Sequence, residues 1–434
     1  MAAMASAMAL CTVSCLQENP VERSSADPEN TKLEGAIAAR TPIGSTGPII
    51  WVYNLNDLRN MTNMGGNYKL ANNIDASASA QTPFVPIGYT KDFFRGTLDG
   101  NNKTITNLTI SGTGSYTGVF TKAYNAVFKN IRLVNVNVTG GYSTGALAGY
   151  VENVDLSNSY VTGKVTGNSS GDRLGLAFGS AGNFTRIYRS YTKGRVEGRG
   201  YHFGGLIGYA AFLGVYNQAD DARIQIDEVF VQDTINPTFP AGTAMVAAGG
   251  LVGTLIGGSI NNVNAVGSVT GRKAAGGLIG NIINNNPNSI GSYIRGGLSR
   301  GIVTDVANAN RAGAIGMMSG SLIWSGGAYY DTDTDGGVPN PNIGDPSCQV
   351  GFASWELKSP HPAPNKLLWP YIYGMRINQT HINQGDYDQC QLASGSDGDW
   401  GFGTCSQTAI WALNSSTEYN TLLRIPNPGV QPKN

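Results

Sequence analysis

Gly249-Gly250-Leu251-Val252-Gly253 is one copy of a pentad that recurs along the chain as GALAG at 145–149, GLAFG at 175–179, GGLIG at 204–208, GGLIG at 276–280 and AGAIG at 312–316. Such self-similarity is the signature of a solenoid, in which each repeat buries its apolar face only against its neighbours. Behind three pentads comes a second element ending in V-x-G: VTGKVTG closing at Gly167, TKGRVEG at Gly198 and AVGSVTG at Gly271. The separations from Gly149, Gly179 and Gly253 are 18, 19 and 18 residues. A fixed offset of this kind means that the same coil is being built each time. Within a pentad the apolar pair is expected to plug the interior, while the glycines allow a tight corner or a close coil-to-coil approach that a Cβ would block. In Asn130–Thr139 the residues alternate with period two, which predicts Ile131, Leu133 or Val134, Val136 and Val138 inward and Arg132, Asn135, Asn137 and Thr139 outward.

The composition agrees with many short buried strands joined by tight turns. Of 434 residues, 59 are glycine and 41% are hydrophobic, whereas only 13% are charged, against roughly 25% in an average soluble chain. Lys+Arg and Asp+Glu are both 29. This balance leaves no basic stripe for nucleic acid, and no nucleic-acid partner is expected. A solenoid of this length remains one unit, so length alone does not call for several domains.

From Ile49 the chain reads IIWVYNLNDLRNMTNMGGNYKLANNID. Leu55, Leu58 and Met61 fall at helical spacing after an N-cap at Asn54 or Asn56, with Gly65-Gly66 ending the run, and a strand is expected over Asn67–Ile74. A short helix here would cover the open end of a β-solenoid. The run Asn67-Tyr68 to Asp75, then Pro86-Ile87-Gly88, then Phe94-x-Gly96-Thr97-Leu98-Asp99-Gly100-Asn101 and Thr104-Ile105-x-Asn107-Leu108 resembles the opening of bacterial GLUG-repeat proteins, and the pentads match the GLUG motif. The resemblance covers residues 49–334. These proteins are secreted or surface chains that include N-terminal regions of immunoglobulin A peptidases and adhesin-like proteins. The resemblance implies an all-β, right-handed parallel β-helix at the cell surface, and it implies no peptidase activity for this stretch.

Four segments are therefore expected: a leader at 1–15, a flexible tether at 16–45, the β-helix at 46–325 and an irregular C-terminal cap at 326–434. MAAMASAMALCTVSC is short, small and apolar, like the apolar part of an export signal, although it lacks the basic start. Thr12-Val13-Ser14-Cys15 reads as a relaxed lipobox with Cys15 lipidated, which would anchor the chain to the outer membrane; the alternative is a plain secretory leader. Residues 16–45 are polar and proline-bearing, as an extended tether is. After Trp324 the pattern gives way to an aromatic-rich tail suited to capping the last coil.

Residues capable of chemistry are scattered along the chain. The three histidines, His202, His361 and His381, form no H-E-x-x-H, and no G-x-S-x-G elbow or P-loop stands in a supporting context. His202 reads as a structural or solvated histidine. Asp331, Asp333 and Asp335, followed by Gly336, resemble an oxygen-rich calcium loop, but Asn342 stands where a bidentate Glu is usual. Calcium is the one metal the pattern suggests; no other cofactor is expected. Asp75, Asp99, Asp155 and Asp172 fall in different repeats, where a carboxylate ordinarily caps backbone N–H groups. Cys390 and Cys405 would close a loop worth about 3 kcal/mol if bridged, with Cys348 left over or competing.

Pentad spacings of 30, 29, 45, 27 and 36 mark the stretch 215–246 as the largest insertion. It carries Tyr216, Asp220, Asp221, Arg223 and Phe230, and two readings stand: a strand-bearing flap that shields one coil, or a partner-binding surface free of the packing constraint on the repeats. The expected function is a non-catalytic, adhesin-like surface rod that binds a host or neighbouring-cell protein or glycan. The alternative is a β-helix enzyme of the pectate-lyase kind acting on acidic polysaccharide. An aromatic-decorated face favours the first, and Asp and Arg gathered in one groove favours the second.

Overall fold

The computed structural model describes residues 44–89, 93–212, 224–239, 242–284, 292–307 and 311–320, and short strands at 324–325, 328–331, 349–352, 411–412 and 421–422. All but the last two strands, which pair antiparallel with each other, belong to a parallel β-solenoid of about 7 turns. Each coil contributes to three sheets. One seven-stranded sheet contains Tyr116–Thr117, Ser143–Thr144, Arg173–Gly175, His202–Gly204, Val246–Gly249, Lys273–Gly276 and Arg311–Ala312. A second contains Phe120–Tyr124, Ala148–Glu152, Phe178–Ala181, Ile207–Ala211, Val252–Ile256, Ile279–Asn284 and Ile315–Gly320. The third is a long sheet built by the V-x-G elements, and its strands reach 13 and 14 residues in Arg186–Gly198 and Ile224–Pro237.

The pentads are the corners that join the first two sheets, and both kinds of glycine are explained by space. A Cβ on the opening glycine would meet the carbonyl oxygen three residues on, at 2.2 Å for Gly175 and 2.0 Å for Gly204. One on the closing glycine would strike the backbone of the first sheet, 2.4 Å from Leu174 N at Gly208 and 2.6 Å from Phe203 N at Gly253. The apolar pair points inward as expected: Leu206, Ile207, Leu251, Val252, Leu278 and Ile279 are fully buried. A further corner, without the pentad's opening and closing glycines, is Thr117-Gly118-Val119-Phe120-Thr121, in register with the next pentad through Phe120 and Ala148. Thr121 replaces its closing glycine, which hid it.

The strand after Asn130 also follows expectation, with one irregularity. Ile131, Leu133, Val136 and Val138 are buried, so the inward parity changes between Leu133 and Val136. Asn135 makes that change possible by adopting a left-handed φ of 54°. Its Nδ2 donates to Asn107 Oδ1 of the previous coil at 2.8 Å, and Asn107, itself at φ 60°, donates to Asp75 at 3.1 Å. Parallel ladders join Asn130 to Asp99 at 2.9 Å and Asn153 to Asn125. Asparagine suits these sites because it tolerates the left-handed region and carries a donor and an acceptor for a coil on either side. Asn135→Ala is expected to destabilise the rod by about 1–2 kcal/mol in chemical denaturation, through a strained backbone and a lost ladder bond. Asn135→Gly, which relieves the strain alone, should cost less.

At the N-terminal end the expected helix is present as Leu55–Arg59, with Asn54 Oδ1 accepting from Asp57 N at 3.0 Å and Asp57 Oδ2 accepting from Tyr53 N at 2.9 Å. It ends ahead of Gly65-Gly66 at the C-cap Asn60, whose N–H donates to the carbonyls of Asn56 and Asp57 and closes the last turn. Its Leu58 is fully buried, in a core that also holds Phe94, Phe120 and Phe128 with ring centroids 4.4–5.7 Å apart. The expected strand over Asn67–Ile74 is split into Asn67–Leu70 and Ile74–Asp75. At the other end the parallel ladder runs on past residue 325: Ala328–Asp331 pairs with Gly297–Ser299 on one side and with Gln349–Phe352 on the other. Most of the expected C-terminal cap, the leader and nearly all of the tether lie outside the described residues.

Candidate functional site

The register places two outward positions of each repeat against each other. One is the residue two before the pentad, in the first sheet: Ser143, Arg173, His202. The other is the residue just after the pentad, in the second sheet: Tyr150, Ser180, Tyr209, Thr254. Because the corner is so tight, each residue of the first set meets one of the second set from the following coil. Ser143 Oγ lies 2.7 Å from Ser180 Oγ, Arg173 Cζ lies 4.1 Å from the centre of the Tyr209 ring, and His202 Nδ1 lies 2.8 Å from Thr254 Oγ1. The result is a seam along the rod, closed at its base by Ser143, Ser180 and Thr254, all buried.

The mouth of the seam is aromatic and cationic. Ring contacts run from Phe93 to Tyr124 at 4.8 Å, Tyr124 to Tyr150 at 5.6 Å, Tyr150 to Tyr116 at 6.2 Å and Tyr116 to Tyr142 at 6.2 Å. Arg173 then sits between Tyr142, at 4.9 Å, and Tyr209, whose ring is edge-on to His202 at 5.1 Å. Lys122 lies 4.2 Å from the Tyr116 centroid and 5.0 Å from that of Phe93. Such cation–ring contacts hold long side chains in place at the cost of little affinity for a further anion.

Burial governs the titrations here. It raises the hydroxyls of Tyr124, Tyr150 and Tyr209, helped at Tyr150 by the Glu152 carboxylate that accepts its hydrogen bond at 2.7 Å. Burial also raises Asp172, against the pull of Arg173 at 3.3 Å. His202 is pushed down to about 4, by burial first and then by the Arg173 charge. It is therefore neutral at neutral pH, and its 4.0 Å approach to Asp172 is not an ion pair there.

Asp172, His202 and Thr254 invite comparison with an acid–base–nucleophile triad. The geometry does not serve one: Thr254 is fully buried beneath the seam, and the orienting contact is 4.0 Å long. A base held near 4 is also poorly matched to work at neutral pH. Of the scattered carboxylates, Asp75 and Asp99 cap backbone N–H groups as expected, whereas Asp155 and Asp172 are held by arginines. Asp75 accepts from Ser77 N, Asp99 from Asn101 N, and Asp155 pairs with Arg186 through two bonds of 2.8 and 2.6 Å.

The partner-binding residues read from the sequence fare differently. Tyr216, Asp220, Asp221 and Arg223 lie outside the described residues. Phe230 corrects the expectation: it is 6% exposed, in the middle of Ile224–Pro237, stacked at 5.5 Å and 6° on Tyr191 of the preceding coil. Much of the supposed insertion is thus a full strand of the long sheet, and Glu228 is held by Arg189 at 2.8 Å within it. Its alternating Ile224-x-Ile226 and Val229-x-Val231 carried that signal. Asp331 closes the strand Ala328–Asp331 with its backbone paired to Phe352, whereas Asp333, Asp335, Cys15, Cys390 and Cys405 lie outside the described residues. The seam residues carry no sequence motif of their own beyond their place two before and one after each pentad.

Residues 53–163 match the family model of the M26 IgA1-specific metallo-endopeptidase N-terminal region. Halomucin from Haloquadratum walsbyi is 40% identical over 119 residues, 25% of this chain and 1% of that protein. Immunoglobulin A1 protease from Streptococcus sanguinis is 28% identical over 220 residues, 48% of this chain and 11% of that protein. The chain thus spans a small fraction of the curated relatives it matches. A crystal structure from Bacteroides ovatus, provisionally named an immunoglobulin A1 protease, aligns over 73% of this chain and 87% of its own at 13% identity with a TM-score of 0.30, too loose a likeness to argue from. The chain is similar to the GLUG-repeat, N-terminal region of immunoglobulin A1 proteases and not to their catalytic part.

Proposed function

We propose that this chain is a non-catalytic binding rod of an exported cell-surface protein, with the aromatic seam as its binding face. The observation that carries the reading is the continuity of the seam: rings and cations from Phe93 to Tyr209 touch in sequence across five successive coils. Half-buried tyrosines with a polar tip are the side chains that binding faces favour, since they bring large contact area with little entropy to lose. The similarity to N-terminal regions of much longer proteins supports a role in presentation and not in catalysis. In this reading lipidated Cys15, left at the N-terminus when the leader is removed, anchors the chain, residues 16–45 tether the rod, and Tyr216, Asp220, Asp221 and Arg223 supply a secondary contact. Calcium at Asp331, Asp333 and Asp335 and a Cys390–Cys405 bridge would stiffen the C-terminal end.

The test is retention of the full chain on whole cells and on immobilised glycans and surface proteins. The double substitution Tyr150→Ala and Tyr209→Ala should weaken the retained interaction at least about tenfold while melting remains cooperative. Release of shortened products from an acidic polysaccharide would replace this reading with the enzymatic one.

A further inference from the structure

We infer that the seam takes an extended anionic glycan, laid along the rod axis with about one sugar ring per coil. This rests on the binding-rod reading and names its ligand. The first argument is spacing. Successive coils of a parallel solenoid are separated by about 4.8 Å, the distance between neighbouring strands. The row therefore offers rings at that interval on the coils of Phe93, Tyr124 and Tyr150, then the Arg173 guanidinium on the next coil, then the Tyr209 ring. An extended peptide advances by about 3.3 Å per residue, or about 6.6 Å between side chains on one face, and falls out of step with the coils. A chain of linked pyranoses advances by nearly one coil per sugar, so successive sugars meet a ring or, on one coil, the flat Arg173 guanidinium.

The second argument is charge. The carboxylates at the mouth are already engaged: Glu152 accepts from Tyr150 at 2.7 Å and from Asn183 at 3.4 Å, and Asp172 lies against Arg173. Lys122 is different. It is braced between two rings, and no carboxylate among the described residues pairs with it. Arg173 is held between Tyr142 and Tyr209, and Arg95 lies 5.8 Å from the Phe93 ring at the start of the row. Arg173 already faces Asp172, so the cation the mouth offers is Lys122, fixed on aromatic faces, which suits an acidic group carried on a sugar chain. A polynucleotide also stacks and carries charge, but it brings a phosphate for every base, and these few cations leave most of them unmatched.

The experiment uses the full chain and a panel of oligosaccharides bearing uronate, sialate or sulfate, each beside its neutral counterpart, with calorimetry as the readout. At least one acidic oligosaccharide should bind at least about tenfold more tightly than its neutral counterpart, with an affinity that falls as salt is raised. Lys122→Met should remove most of that preference and Lys122→Arg should restore it, while Tyr209→Ala should weaken acidic and neutral forms alike. Melting curves of the variants identify any that fail to fold. Equal affinity for the neutral counterparts, or tighter binding of a single-stranded polynucleotide, would overturn the anionic-glycan assignment. Binding only to a surface protein would overturn it too, while leaving the rod a binding module. Absence of any partner would remove both.

Discussion

Gly249→Ala is expected to destabilise the rod by at least about 3 kcal/mol, read as a shifted denaturation midpoint. The new methyl would lie 2.0 Å from Val252 O, 2.6 Å from Gly280 N and 2.7 Å from Leu278 O, all backbone atoms, two of them in the next coil. A side chain can swing away from a clash, but backbone hydrogen-bonded on both sides cannot. Relief therefore requires parting the corner from its neighbour. Gly242→Ala is the matched control, since Gly242 has a φ of +82° but nothing within 4 Å of a Cβ. It should cost only about 1–2 kcal/mol, the strain of a left-handed alanine. Equal losses in the two variants would mean that the pentads do not depend on close approach.

Asp233 is expected to make the rod lose about 4 kcal/mol of stability as pH rises from 4 to 8. Its side chain is buried among the pentad corners, accepting 2.6 Å from Thr192 Oγ1, and its Oδ1 has no hydrogen-bond partner. Burial pushes the carboxyl up to about 7, opposed by the bonds from Thr192 and the Gly194 backbone. The folded value is thus above the ordinary value of about 3.9, so the folded state holds an extra proton between the two. Stability is fully present below about pH 4 and falls as pH rises through 7. The small void that Asp233 shares with Ser299 and Gly267 has no room for a water that would solvate the ion. Asp233→Asn, compared with the native chain at each pH, isolates this contribution from that of His202, whose depressed value acts in the opposite sense as pH falls below 6.5. The variant should be the more stable protein at pH 8 and lose its advantage by pH 4. Superimposable profiles would refute the assignment.

Leu251 and Val252 with the glycines around them determined the architecture from sequence alone. An apolar pair flanked by residues without side chains, repeated at a nearly constant offset from V-x-G, has only one way to bury itself: coil upon coil. The N-cap Asn54 and the inward set Ile131, Leu133, Val136 and Val138 were legible for equally local reasons. Length misled where locality ended. The 45-residue interval before Gly253 suggested an insertion, a strand-bearing flap or a binding surface, yet Phe230 stacks on Tyr191 inside the long sheet. Strand alternation within 224–237 signals a coil, but a count of residues between glycines cannot separate a strand from a loop.

The seam was decided by tertiary structure. Lys122 and Tyr116 are six positions apart, Arg173 and Tyr209 thirty-six, and His202 and Thr254 fifty-two, and nothing in their local sequence says that they touch. They meet because the corner glycines bring two sheets together and the parallel register offsets the meeting residues by one coil or none. Interior residues repeat because every coil must solve the same packing problem. Outward residues face no such common demand, so their chemistry emerges only once the coils are stacked.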